Sequence, residues 1–126
     1  MQNAKLQDLT PIFNTALLDE VIEKKKKERE DLRRQVIAKI LIAIDRLGGE
    51  IAFDEAYLFG SVTKPFRFLE SSDIDIGFVG LDNRHFFKAM SYLSEETGHD
   101  VDIVQIEDHR LADKIKRGGI RWRRRD

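Results

Sequence analysis

Four residues in the middle of the chain, Gly60, Ser61, Asp73 and Asp75, have the types and spacing that chemistry on a phosphate requires. In Ser72-Asp73-Ile74-Asp75-Ile76-Gly77 acid alternates with isoleucine. A period of two puts Asp73 and Asp75 on one face of a strand and Ile74 and Ile76 on the other. Asp is disfavoured in strands. Two carboxylates about 7 Å apart also repel each other unless a cation or an array of donors lies between them. Just upstream, Leu58-Phe59-Gly60-Ser61 ends an apolar run in a turn able to offer backbone N–H groups to a phosphate.

Downstream, Asp100-Val101-Asp102-Ile103-Val104 repeats the alternation, with Asp100 and Asp102 sharing a face. If the two acidic strands are neighbours in one sheet, Asp73, Asp75 and Asp102 converge within metal-ligand reach, an arrangement that is costly without a cation. Oxygen-only donors favour Mg²⁺ or Mn²⁺ over zinc, and Mg²⁺ commonly bridges one or two carboxylates and substrate phosphates. Carboxylates for a divalent ion beside a phosphate cradle point to chemistry on a nucleotide. A single D-x-D alone would read as a solvated sheet face; the turn before it and the matching strand after it argue otherwise.

The elements that must position these residues follow from periodicity. Thr10-Pro11 and Asn14-Thr15 offer turn or N-cap chemistry. From Thr15 to Leu47 there is no Gly or Pro, a span of about 50 Å if helical throughout. Leu32, Val36, Ile37, Ile40, Leu41, Ile44 and Leu47 form a core-facing stripe. Leu17, Leu18, Val21 and Ile22 form a separate group, and Glu23 to Asp31 contains no apolar residue. The first half is therefore expected to project from the domain or meet another chain, and Gly48-Gly49 to end the helix. Glu55 to Phe59 reads as a buried strand, 63–71 as a loop or short helical turn in which Pro65 limits any helix, and Asp73 to Val79 as a second strand. A helix from His85 to Thr97, a strand from Asp100 to Val104 and a short helix from Asp108 to Lys116 complete the pattern. The expected class is α/β (α+β): a small mixed sheet packed by helices, with a long N-terminal helix. Residues 1–30 are read as a helical extension for partner docking and 31–126 as the working domain.

With 126 residues, 41% of them hydrophobic and 36% charged, the chain has room for one core and carries a highly charged surface. No run reaches the roughly 18 apolar residues of a membrane span, and no signal-peptide pattern opens the sequence. The lack of Cys excludes thiolate chemistry and fits a reducing, cytoplasmic setting. The net charge of −1 names no partner. His85, His99 and His109 have no ligand spacing, and Asp100 reads as a strand-end residue rather than a fourth ligand. Lys24 to Lys27 reads as a solvated helix face, with partner or RNA contact as the alternative. Arg121-Trp122-Arg123-Arg124-Arg125 reads as a frayed basic terminus, with stacking on nucleic acid as the alternative.

The ordered set Phe59-Gly60-Ser61, Ser72-Asp73-Ile74-Asp75-Ile76 and Val101-Asp102-Ile103-Val104 resembles the polymerase-β-type nucleotidyltransferase superfamily. More closely, it is similar to the minimal nucleotidyltransferases that form the antitoxin half of HEPN–MNT toxin–antitoxin pairs. The resemblance spans about Arg33 to Trp122 and includes Ile115-Lys116-Arg117-Gly118-Gly119-Ile120, similar to the family's closing helix and Gly turn. Val62 departs from the Arg that many members carry, and Pro65 from the usual small-residue turn. The resemblance implies that Gly60 and Ser61 hold the triphosphate of ATP, and that Asp73 and Asp75 bind Mg²⁺ or Mn²⁺. By the same resemblance Asp102 completes the acceptor-side metal site. Lys64 either neutralises a phosphate or is an ordinary surface lysine. The implied activity is transfer of AMP to a hydroxyl, a Tyr of a HEPN ribonuclease toxin held in a hetero-oligomer. Neither membrane nor direct nucleic-acid binding is expected. Alternatives are a non-catalytic antitoxin that masks its toxin, and a nucleotidyltransferase for an RNA or small-molecule acceptor.

Overall fold

The computed structural model describes residues 15–124. The expected turn at Thr10-Pro11, the capping role of Asn14 and the terminal Arg125 lie outside the described residues. α1 (Thr15–Leu47) is one unbroken helix of 33 residues, about 50 Å long. Its two halves differ as their composition dictates. Residues 15–29 are exposed at every position, whereas Val36, Ile40, Ala43, Ile44 and Leu47 form a buried stripe at i, i+4, i+7 spacing. The helix ends where Gly48 N–H donates to Ile44 O at 2.9 Å and the chain turns through Gly49.

Four strands follow: β1 (Glu55–Phe59), β2 (Ile74–Val79), β3 (Val101–Gln105) and β4 (Ile120–Arg123). They form one mixed sheet in the order β3-β2-β1-β4, in which β1 runs antiparallel to both β2 and β4 while β2 and β3 are parallel. The parallel pair requires a crossover, supplied by α2 (Phe86–Thr97), which stops at Gly98 in the left-handed conformation. The alternation expected from the sequence sets the two faces. Leu58, Ile74, Ile76, Phe78, Val101 and Ile103 enter the main core with Ile40 and Ile44 of α1 and Leu93 of α2. Tyr57, Phe59, Val79 and Val104 line the opposite face, packed with Ile106 and with Ala112 and Ile115 of α3 (Ala112–Gly118). Asp75 and Asp102 belong by register to that second, more thinly covered face.

Three elements differ from the sequence reading. Asp73 lies one residue before β2 rather than on it, and α3 begins at Ala112 after a 3₁₀ turn at Ile106–Asp108. The larger difference is at the basic terminus, where Ile120–Arg123 is a paired strand and not a frayed tail. Trp122 pairs with Ala56, stacks on Phe53 at 4.9 Å between ring centroids, and donates its indole N–H to Asp45 at 3.3 Å. Arg124 donates to the carbonyls of Phe53, Gly48 and Ile51. Gly119 makes the approach possible, since a Cβ there would fall 2.8 Å from Leu58 O.

Candidate active site

Strand pairing brings Asp75 and Asp102 together, and Asp73 and Asp100 lie one residue before the starts of their strands. In the antiparallel β1–β2 register Phe59 faces Asp75, so the turn that follows Phe59 meets the D-x-D motif directly. In the parallel β2–β3 register Asp75 faces Asp102. Gly60 sits at φ +76°, and a Cβ on it would lie 2.4 Å from Asp75 Oδ2, so only glycine lets the backbone pass this close to the carboxylate. From Gly60 to Thr63 the chain forms a 3₁₀ turn, closed by the Thr63 hydroxyl donating to Gly60 O at 2.7 Å. Ser61 is half-buried in this turn.

The electrostatics are those of crowded like charges. Burial pushes the Asp75 carboxyl above the usual carboxylate range, and the charges of Asp102 and Asp73 push it further. Asp75 is half-buried, while Asp73 and Asp102 are exposed. The ion pairs of the described residues leave out all three acids. Among the described residues no three His, Cys, Asp or Glu groups stand close enough to form a ready metal cage. The donor set still fits a divalent cation of the Mg²⁺ type, which needs only one or two carboxylates when phosphate and water supply the remaining oxygens. The Asp75–Asp102 pair, with Asp73 one residue beyond the strand, provides that much.

Two clefts lie beside these residues, one at the acids and one at the Gly60 turn. One, of about 500 Å³, is lined by Asp73, Asp100 and Asp102 together with Ser91, Ser94 and Glu95 of α2. The other, of about 400 Å³, is lined by Phe59, Gly60, Thr63 and Lys64 from the turn and by Lys114 and Gly118 of α3. Asp75 connects them, as register partner of Asp102 and neighbour of Gly60. Lys64 therefore lies on the Gly60 side, away from the acidic cleft. Lys114 was not legible as a site residue. Its only signal is a position four residues before Gly118 in the closing helix, and nothing local separates it from Lys116.

A mixed sheet of this order, with a Gly-Ser turn against paired aspartates, has the nucleotidyltransferase fold. The family model of polymerase beta nucleotidyltransferase matches residues 47–126, and the chain belongs to that family. A chain in a crystal structure of a toxin-antitoxin with AMP-PNP superposes with a TM-score of 0.57 at 25% identity, covering 68% of this chain and 74% of that one. A Sulfolobus solfataricus chain assigned provisionally as a nucleotidyltransferase gives a TM-score of 0.46 at 26% identity, covering 79% of this chain and 88% of that one. No curated protein sequence matches the chain. Among the described residues no helix is long and apolar enough to cross a membrane.

Proposed function

We propose that this chain is the nucleotidyltransferase half of a toxin–antitoxin pair. It transfers AMP from ATP to a hydroxyl of its partner, a Tyr of a HEPN-type ribonuclease toxin, and so silences it. The observation that carries the reading is the Asp75–Asp102 register pair set against the Gly60 turn in a chain of this family. The superposition on a toxin-antitoxin chain solved with AMP-PNP supports the choice of ATP and of a protein partner.

In this reading Gly60 and Ser61 hold the triphosphate through backbone N–H groups and the Ser hydroxyl, and Lys64 and Lys114 neutralise it from the adjoining cleft. Asp73, Asp75 and Asp102 hold a divalent cation. When bound, such an ion neutralises the phosphate oxygens and the charge that develops during in-line displacement. Asp102 faces the acidic cleft, which receives the acceptor, and takes the proton of its hydroxyl. The acceptor oxygen then bonds to the α-phosphorus, the bond to the bridging oxygen breaks, and pyrophosphate leaves. Residues 31–126 carry this chemistry, and residues 1–30 extend the docking surface for the partner.

A second reading, neutralisation by binding alone, draws on the exposed stripe of Leu18, Val21 and Ile22, which lies outside the acidic face. Mass spectrometry of the co-expressed partner distinguishes the two. With the wild-type chain the partner should gain the mass of one nucleoside monophosphate, and with Asp73→Asn and Asp75→Asn it should not. Neutralisation that persists without any mass gain would sink the catalytic reading and leave binding.

A further inference from the structure

The loop between the two motifs contains the backbone outlier of the described residues. Phe66 sits at φ +64°, and it is the one non-glycine among them with a positive φ. A bulky L-residue is rarely found there, and such strain persists only where the surroundings enforce it. The Phe66 side chain remains 49% exposed, so its packing is not what enforces it. Two residues of α1 are. Phe66 N–H donates to Glu30 Oε2 at 3.1 Å, and Arg33 Nη1 donates to Val62 O at 3.1 Å. Glu30 and Arg33 also grip one another, with Arg33 Nε 3.1 Å from both carboxylate oxygens.

Both side chains are only 13% exposed, which makes this pair unlike the solvent-facing pair of Lys26 with Glu23, at 47% and 73%. The hydrogen bond from Arg33 holds the Glu30 carboxyl below the usual range against the effect of burial, and the Phe66 N–H adds to it. Between the two anchored positions the chain makes successive turns, with Lys64 N–H on Ser61 O at 3.1 Å and Arg67 N–H on Lys64 O at 3.2 Å. Ser61 thus adjoins one anchor, and Lys64 lies between the two.

We propose that Glu30 and Arg33 are positioning residues for the nucleotide-holding turn. Pinned to α1 at Val62 and Phe66, the segment keeps Ser61 and Lys64 aligned with Gly60 and the aspartate row. The proposal rests on the reading that residues 60–64 hold the triphosphate. Neither residue touches nucleotide; each acts through the loop.

Tryptic cleavage after Arg67 and amide exchange at Phe66 report the loop, and KM for ATP against kcat reports its use. Glu30→Ala and Arg33→Ala should speed both loop readouts and raise KM about tenfold, the scale of a lost charge-assisted hydrogen bond, with kcat changed by less than about twofold. Phe66→Gly added to Glu30→Ala should restore most of the affinity, because glycine adopts this φ without strain. Wild-type loop readouts and KM in folded Glu30→Ala, or no rescue by glycine, would overturn the proposal. Should Glu30→Ala fail to fold, Glu30→Gln still accepts from Phe66 N–H but loses the charge that holds Arg33, and it is judged by the same readouts. Faster cleavage in the variants of a wild-type protein that binds no ATP would overturn the nucleotide reading of the loop, and the positioning role with it.

Discussion

Asp75 of β2 and Asp102 of β3 are register partners across a parallel strand pair, so two acids face each other on adjacent strands beside the backbone of Gly60. Such a placement destabilises the fold on its own, and burial first, then the charges of Asp102 and Asp73, raise the pKa of Asp75. A carboxyl whose folded pKa exceeds its unfolded value binds its proton more tightly when folded, so ionisation weakens the folded state as pH rises through the interval between the two. In metal-free buffer at pH 7, Asp75→Asn should therefore raise the melting temperature, and the gain should fade as pH drops below the unfolded-state value of about 4, where the Asp75 carboxyl is protonated in both folded and unfolded chains. The same substitution should lower nucleotidyl transfer by about a thousandfold or more, the scale of losing a charge-stabilising group. Thermal melts of both proteins across pH, without and then with Mg²⁺, check it. A destabilised Asp75→Asn at pH 7 without metal would show that Asp75 is held by attractive partners and not by repulsion.

Gly60→Ala tests the closeness of turn and carboxylate. The added methyl meets Asp75 Oδ2 at 2.4 Å and adopts φ +76°, so both the turn and the acid must shift. A loss of about 1–3 kcal/mol in stability is expected from the backbone strain. Nucleotide affinity should fall more steeply than that of Gly98→Ala, where φ is similarly positive at +71° but no atom lies within 4 Å. Equal affinity for the two variants, by calorimetric titration with a non-hydrolysable ATP analogue, would contradict the cradle.

Trp122→Ala addresses the strand that pattern reading missed. Trp122 covers Phe53 and ties β4 to α1 through Asp45. Removing a partly exposed aromatic of this kind should cost about 2–3 kcal/mol, less than the roughly 3–5 of a fully buried one. Chemical denaturation measures it. Because β4 flanks the strand that leads into Gly60 but contributes nothing to the aspartate row, KM for nucleotide should stay near wild type at temperatures where the variant is folded.

What the sequence disclosed and what it hid divides by range of interaction. The bounds of β1 and the alternation of Asp75 and Ile76 were legible because a period of two is a local property, and α1 because no breaker occurs between Thr15 and Leu47. β4 was not, since Arg121 and Arg123 look solvated until β1 is known to lie alongside, with Arg121 paired to Glu55 at 2.8 Å. Likewise Arg33 and Glu30 were not singled out, since one turn of helix apart they look like any surface i, i+3 pair. Their decisive partners, Val62 and Phe66, lie 29 and 36 residues away. The Asp75–Asp102 match was conditional on the strands being neighbours, which no local pattern could state.

The outer half of α1 carries the last expectation. Leu18, Val21 and Ile22 are 56%, 47% and 41% exposed on a segment with no buried residue from Thr15 to Arg29. They do nothing for the core, so replacing all three with Ser should shift the unfolding free energy by no more than the roughly 0.5 kcal/mol typical of each surface change. Nucleotide affinity, set by Gly60 and the aspartates, should also be unchanged. Partner capture should fall at least tenfold, about 1.4 kcal/mol, if this stripe is the docking surface. Co-purification of the triple variant with the partner at wild-type yield and affinity would move docking elsewhere, with the acidic cleft beside Asp102 the next surface to test.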